Sequence, residues 1–364
     1  MKSVYIFFST IDIGGAEKRF AGLWRSFQND NSNIRVKLVV HPLLKKRLAD
    51  IDEIVADHEN IIEANFEGKN FLEYRKKVRL FLRKNTKPND ILHFVGISPL
   101  LIFSKRKILF SITNSDLNLV GTSNKNVILS TSLLADSIDV LDPDIYHKFL
   151  KLFFWKRKKI FRTTNSFCDT ELFKPVPFSE KKDWIVFLGR FMWVKQIEQI
   201  VDALPLVFKK LRLAGKENVT VFLLGIGELS EKIKDKLNSP DYKNLPVIAK
   251  FEKEPFKILN SSKIFLSMQL YSNYPSKSLL EAMGAGNIPL VTDVGQTRWI
   301  AKSKFSYYVP EKFTSVDLAN AICDIFKMDS SQWEEKMNEA RQEVVHNHTL
   351  DKMKKYYEKI YADL

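Results

Sequence analysis

The stretch "WIVFLGRFMWVKQIEQIVDALPLVFKKL", residues 184–211, decides how the chain folds. It opens on a short apolar run of strand length that ends in glycine, and from Ile197 its apolar residues recur at helical spacing as far as Leu211. The same unit recurs along the chain. Runs such as "VYIFFS", "RVKLVV", "DILHFV", "KILFSI" and "NVILS" come first, and "VTVFLL", "PVIAKF", "KIFLSM" and "IPLVT" follow residue 184. Helical segments such as Ala16 to Phe27 lie between them. Short apolar strands alternating with periodic helices predict parallel sheets covered by helices on both faces, a pattern that here runs twice.

At 364 residues and 45% apolar composition, the chain exceeds what one core spans and can fill two. The seam is predicted in "FKPVPFSEKKDW", residues 173–184, where two prolines and three lysines interrupt the apolar periodicity. With the boundary near Pro175, the domains are 1–175, joined by a returning helix over 348–364, and 176–347. That last helix carries Leu350, Met353, Tyr357 and Ile360 on one side and is expected to pack back across the seam. Two open parallel sheets in tandem would direct their strand ends, where ligands bind in such folds, toward a common cleft.

Only Cys168 and Cys323 occur, without His or Cys at metal-ligand spacing, so neither a disulfide framework nor a metal site is expected. The apolar start is interrupted by Ser9 and Asp12 and reads as a strand, not a leader. No apolar run reaches the roughly 18 residues of a spanning helix, so a cytoplasmic protein, soluble or peripheral, is expected. The net charge of +14 divides as 29 − 19 = +10 over residues 1–175 and 28 − 24 = +4 over the rest. Such a surface attracts polyanions in general. A nucleic-acid partner has only this charge in its favour, since no zinc finger, aromatic RNA-binding strand or long basic helix is present.

Three loops that follow strands could carry chemistry. "STIDIGGAEKRF" places Gly14 and Gly15 before a helix whose free amides offer an anion site; a plain tight turn fits equally. In "FLGRFMWVK", Gly189 closes a strand, Arg190 follows it and Lys195 stands where the next helix begins. A guanidinium fork and an ammonium at one strand end suit a diphosphate, and cations there oppose the helix dipole unless an anion answers them. In "YSNYPSKSLLEAMGAGNIPLVTD", residues 271–293, Pro275 and Ser276 suit a first helical turn with Ser272 or Asn273 as cap. Glu281 lies inside that helix among Leu279, Leu280 and Ala282, so its carboxylate needs partners. Ribose hydroxyls could serve, as could backbone or a neighbouring lysine.

Taken together, "GGAEKR" (14–19), "NSFCDTELFKP" (165–175), "GRFMWVK" (189–195) and "LLEAMGAGNIPLVTDVGQ" (279–296) resemble, in this order, the motifs of retaining glycosyltransferases of GT-B architecture, family 4. The resemblance covers nearly the whole chain. It implies two Rossmann-like, doubly wound domains, with a nucleotide-diphospho-sugar donor bound mainly by the second and the acceptor by the first. Carried over by position, Gly14 and Gly15 would approach the diphosphate. Gly189, Arg190 and Lys195 would hold and neutralise it, Ser276 and Lys277 would supply donors at the helix entrance, and Glu281 would hold the ribose. No cofactor or metal is implied, the nucleotide sugar being substrate.

Two departures stand out. Asn273 occupies the place of the first glutamate in the family's E-x7-E motif, which removes a negative charge beside the reacting sugar. The family's histidine near the donor sugar has His93 as its candidate, with Asn114 and Asp116 behind it, though a histidine inside a strand fits a satisfied core position as well. The acceptor would be a glycan or a lipid-diphosphate-linked sugar in surface polysaccharide assembly. "KLFFWKRKKIF", residues 151–161, interleaves aromatic and basic residues as contacts with an anionic membrane do, though a solvated helix end fits as well. The competing functions are a weak or inactive nucleotide-sugar binder, favoured by Asn273, and a sugar-nucleotide epimerase or hydrolase.

Overall fold

A computed structural model describes every residue except 1, 9, 12, 29–33, 51–53, 69–70, 97–104, 114–121, 164–165 and 273. The chain divides into two compact units, Met1–Asn165 with Leu350–Leu364, and Ser166–Thr349.

Unit 1 runs β1 (Lys2–Phe8), α1 (Gly15–Gln28), β2 (Ile34–Val40), α2 (Pro42–Ala49), α3 (Ile54–Asp57), β3 (Ile61–Glu63), α4 (Phe71–Asn85), β4 (Ile91–Val95), β5 (Lys107–Ile112), α5 (Thr122–Leu134), β6 (Ser137–Val140), α6 (Pro143–Leu152) and β7 (Ile160–Arg162). Its parallel sheet has the order β3-β2-β1-β4-β5-β6-β7. Unit 2 runs β8 (Trp184–Leu188), α7 (Ile197–Leu213), β9 (Thr220–Leu224), α8 (Ser230–Leu237), β10 (Val247–Lys250), α9 (Phe256–Leu259), β11 (Ile264–Ser267), α10 (Lys277–Gly284), β12 (Ile288–Thr292), β13 (Tyr307–Val309), α11 (Ser315–Phe326) and α12 (Ser330–Asn347). Its parallel sheet has the order β10-β9-β8-β11-β12-β13. The last helix, α13 (Leu350–Asp363), belongs to unit 1.

The strands form because apolar residues occupy both of their faces. In β8, Ile185 and Phe187 enter one buried cluster with α7 and α11, while Val186 enters another with α10. A sheet so covered is the parallel kind, read as a near-continuous apolar run. Helix starts are fixed locally. Asp142 caps α6 by accepting from the amides of Asp144 and Ile145, with Pro143 in the first turn, and capping boxes open α11 (Thr314 with Asp317) and α12 (Asp329 with Gln332). Among the described residues no helix is long and apolar enough to cross a membrane.

In both sheets the strand order reverses beside the first strand of the unit, between β1 and β4 and between β8 and β11. These are the switch points where adjacent loops part and leave room for a ligand at the carboxyl ends of the strands.

The units divide ahead of the Pro175 seam because residues after Ser166 already pack within unit 2. The Cys168 amide donates to the His348 carbonyl at 2.8 Å, and Cys168 and Phe173 sit in the α10 core cluster. Two cations clamp the tail of α10. Lys181, buried, donates to the carbonyls of Ser262, Ala285 and Gly286 at 2.7, 2.8 and 3.3 Å, and Arg341 donates to those of Gly284, Phe173 and Thr170. Positive charge at a helix C-terminus is favourable to its dipole. Burial, and then the charges of Lys263 and Arg341, lower the Lys181 pKa to about 7.

Candidate active site

The unit 2 switch point is built from the loops after β8 and β11. After β8 the chain passes Gly189 and Arg190, makes a tight turn over Trp193–Lys195, and enters α7 through Gln196, which holds a left-handed φ of 48°. A buried non-glycine residue in that conformation is strained by about 1–3 kcal/mol and persists only where its surroundings hold it; here the Gln196 side-chain Nε2 donates to the Glu311 carbonyl at 3.0 Å. The Lys195 ammonium reaches across to Gln269 Oε1 at 2.7 Å, and the Leu270 amide donates to the Val194 carbonyl at 3.0 Å, so the two loops are joined twice. Gln269 is itself fixed. Its amide donates to the Thr292 hydroxyl oxygen at 2.8 Å, and that hydroxyl donates back to the Gln269 carbonyl at 2.7 Å.

Burial lowers the Lys195 pKa to about 8, with the Arg190 charge adding to it. Arg190 is exposed and has no hydrogen bond or ion pair with any described residue. Two cations close enough to repel, with no carboxylate between them, mark a place where an anion would relieve both. A small cavity that shares Gln269 with Lys195 is lined by Ser267, Gln269, Tyr274, Ser276, Leu279, Thr297 and Ile300. It opens at the head of α10, whose cap is Ser276, accepting from the Leu279 amide at 3.4 Å, and not the earlier Ser272 or Asn273. The first-turn amides of Lys277 and Ser278 have no partner within the helix. Farther along, Lys277 and Glu281 pair at 3.1 Å, with the Lys277 ammonium 4.8 Å from the Phe167 ring centroid. Glu281 thus rests on the neighbouring lysine.

Residues 169–344 match the family of group 1 glycosyl transferases. The match spans nearly the whole of unit 2 and just under half of the chain. No curated protein matches the chain by sequence. Solved structures similar to it include a glycosyltransferase from Rickettsia africae at 14% identity, TM-score 0.75, covering 100% of this chain and 98% of that one. Another is HepE from Anabaena, solved with UDP-glucose, at 13% identity, TM-score 0.80 and full coverage of both chains. A third is sucrose-phosphate synthase from Thermosynechococcus elongatus at 14% identity, TM-score 0.71, also covering both fully. At such identities the likeness is one of fold, and the fold is the GT-B architecture of two parallel-sheet domains.

The unit 2 switch point also contains residues that the motifs did not single out. Gln269 carries no sequence signal, and Ser272 reads in the sequence only as a candidate cap. The Ser272 hydroxyl is buried without a partner among the described residues, and Gly295, at φ 48°, leaves it room, since a Cβ there would stand 2.4 Å from Ser272 Cβ. Gly225 and Gly227 could have been found, as a G-x-G that follows a strand. A Cβ on Gly225 would meet the Gly189 carbonyl oxygen at 1.8 Å and one on Gly227 the Phe191 carbonyl oxygen at 2.4 Å, so both are needed for the β9 loop to lie against the β8 loop. Gly189 itself meets nothing closer than 3.5 Å. Asn273, Asn114 and Asp116 lie outside the described residues.

The remaining candidates sit in unit 1 and belong to its own switch point. The Gly14 amide donates to Glu17 Oε2 at 2.8 Å, closing the start of α1 on itself, while Gly15 has open space around its Cα. His93 does not suit a substrate-facing role. It is fully buried in β4, with Nε2 2.7 Å from Ser111 Oγ and Nδ1 2.8 Å from the Tyr361 hydroxyl. Ser111 donates to Asp139, so it accepts from His93 Nε2, and Tyr361 donates to Nδ1. Burial, helped by the Arg19 charge, lowers the His93 pKa to about 3 and keeps the ring neutral. Both nitrogens are committed to holding β4, β5 and α13 together.

Proposed function

We propose that the protein is a retaining, metal-independent glycosyltransferase that moves a sugar from a nucleoside diphosphate to a glycan or lipid-linked acceptor in surface polysaccharide assembly. The observation that carries this reading is the Arg190–Lys195 pair, without a counter-ion, beside the head of α10 in a group 1 glycosyltransferase domain. The acceptor hydroxyl oxygen forms the bond to the anomeric carbon as the bond to the diphosphate oxygen breaks, and its proton passes to the departing diphosphate on the same face. Arg190, Lys195 and the α10 amides stabilise the charge that develops on the leaving group, the main catalytic contribution in such a step. Two cations supply the charge a divalent ion would otherwise bring. Glu281, paired with Lys277, would accept from ribose hydroxyls.

UDP-glucose in HepE makes a uridine nucleotide the first donor to try. We place the protein in the cytoplasm, at the inner face of the plasma membrane, where a lipid-carried acceptor would meet it. A thermal-shift series of nucleoside diphosphates and nucleotide sugars tests the reading, because a ligand of the native state raises its melting temperature. A shift by one nucleoside diphosphate that Arg190→Ala abolishes supports it, and no shift with any of them overturns it. Asn273 in the sequence favours a second reading, a binder that transfers slowly. Transfer that appears only in Asn273→Glu would establish that one.

A further inference from the structure

Unit 1 carries an exposed apolar surface unrelated to its switch point. In "LFFWKRKK" (152–159), α6 ends and a tight turn over Phe154–Lys159 begins. Three large apolar residues in succession cannot all face inward from such a turn. Phe153 enters the core at 5% exposure, which leaves Phe154 at 71% and Trp155 at 57%. The rings meet edge to face, Phe153 with Trp155 at 5.7 Å and Phe154 with Trp155 at 5.1 Å, so the aromatic column runs from core to surface. Across a groove of about 370 Å³, α5 contributes Leu129 and Leu133 opposite Leu152. The turn is anchored to α5, because the Lys156 ammonium donates to the carbonyls of Ser132, Leu133 and Ala135 at 3.2, 2.5 and 2.6 Å.

The same segment is one-sidedly basic. Lys148, Lys151, Arg157, Lys158 and Lys159 are exposed and have no ion-pair partner among the described residues, and no Asp or Glu occurs between Ile145 and Ile160. Contiguous exposed apolar surface marks an interaction site, and aromatic rings bordered by cations suit a boundary that is apolar on one side and negatively charged on the other. A second copy of the chain would bring five cations against five.

We propose that the α5–α6 edge of unit 1 docks on an anionic lipid bilayer, with Phe154 and Trp155 entering the headgroup layer and the five cations facing lipid phosphates. This rests on unit 1 alone and stands apart from the catalytic reading. The test is co-sedimentation of the full chain with phosphatidylcholine vesicles, plain or with about a third phosphatidylglycerol. The anionic vesicles are expected to bind and the neutral ones not. Phe154→Ser/Trp155→Ser should weaken binding by at least about tenfold with an unchanged melting temperature, since both side chains are exposed. Lys158→Gln/Lys159→Gln should weaken it severalfold. Lys209→Gln/Lys253→Gln, which removes the same charge from unit 2, should leave it unchanged. Absence of binding, equal losses in all three variants, or a dimer that the Phe154/Trp155 change dissolves would each overturn the proposal, the last by making the face a contact between copies.

Discussion

The two switch points share a topology and differ in where their charges find partners. In unit 1, the polar row beneath the sheet is answered from within the chain. Asp139 accepts from Ser111, Tyr356 and Tyr357, and His93 is held between Ser111 and Tyr361. The exception is Arg19, 2% exposed, whose Nε and Nη2 have no acceptor among the described residues and whose charge bears on both Asp139 and His93. In unit 2, Arg190 has no partner, Lys195 has only an amide oxygen, and the Ser272 hydroxyl has none among the described residues. Apart from Arg19, one network is closed among the described residues without a ligand and does structural work. The other leaves its cations unanswered, which is what a binding device requires.

The largest expected effect comes from breaking the first network. Asp139→Ala strands three buried hydroxyl donors at about 1–3 kcal/mol each, so stability should fall by about 3 kcal/mol or more. Chemical denaturation would measure it, while the thermal shift given by a nucleoside diphosphate should survive. An unchanged denaturation midpoint would mean that α13 is held by its apolar side chains alone.

The second test breaks the other side. Arg190→Ala removes charge-assisted bonds to the diphosphate worth about 1.5–3 kcal/mol each, a loss of roughly ten- to hundredfold in donor kcat/KM. Since Arg190 is exposed and unpartnered, the melting temperature should not move. A variant that loses stability and keeps its activity would place the guanidinium in the fold and not in the site.

The third sharpens the role of Lys195. With a pKa lowered to about 8 in the free protein, it is charged below that pH and neutral above it, so kcat/KM should fall with a slope of up to about tenfold per unit above pH 8. Binding a diphosphate at pH 8.5 should take up a proton, which calorimetry in two buffers of different ionisation enthalpy detects. In Lys195→Arg the alkaline fall should vanish.

The last test reads a slope in stability, small over the range from pH 5 to 7. His93 titrates near 3 when folded and near 6.5 when unfolded, so between those values the unfolded chain holds more protons. The contribution is fully present above pH 6.5 and is lost as pH falls toward 3, at about 1.4 kcal/mol per unit. Asp139, raised by burial, opposes it, because there the folded chain is the one that holds the proton. Melting temperatures from pH 5 to 7 should slope less steeply in His93→Gln than in the parent.

What could be read from the sequence followed from local chemistry. The two sheets, and the places of Arg190 and Lys195 after β8, came from apolar runs and from what directly follows a strand. The cap of α10 was misplaced because Ser272, Asn273 and Ser276 are all good caps and only the backbone path chooses among them. The unit boundary was set too late because prolines mark where a chain turns, while the boundary depends on which core receives Cys168 and Phe173. Gln269 was invisible, since its meaning arises when β8 and β11 become neighbours. The sequence left His93 open between a site and a core role for the same reason. A histidine inside a strand reads alike whether it faces a ligand or the tyrosines of a helix more than two hundred residues away.

The bond between Lys195 and Gln269 sets an entry condition for the site. The ammonium was dried when the protein folded, and an uncharged oxygen already occupies it, so an arriving ligand exchanges one acceptor for another instead of stripping a hydrated lysine. A sugar hydroxyl offers no advantage over the resident amide, whereas a formally negative oxygen does. On the proposed reading the glutamine would set a threshold that favours phosphate over neutral sugars, before any contact to the base or the hexose is made.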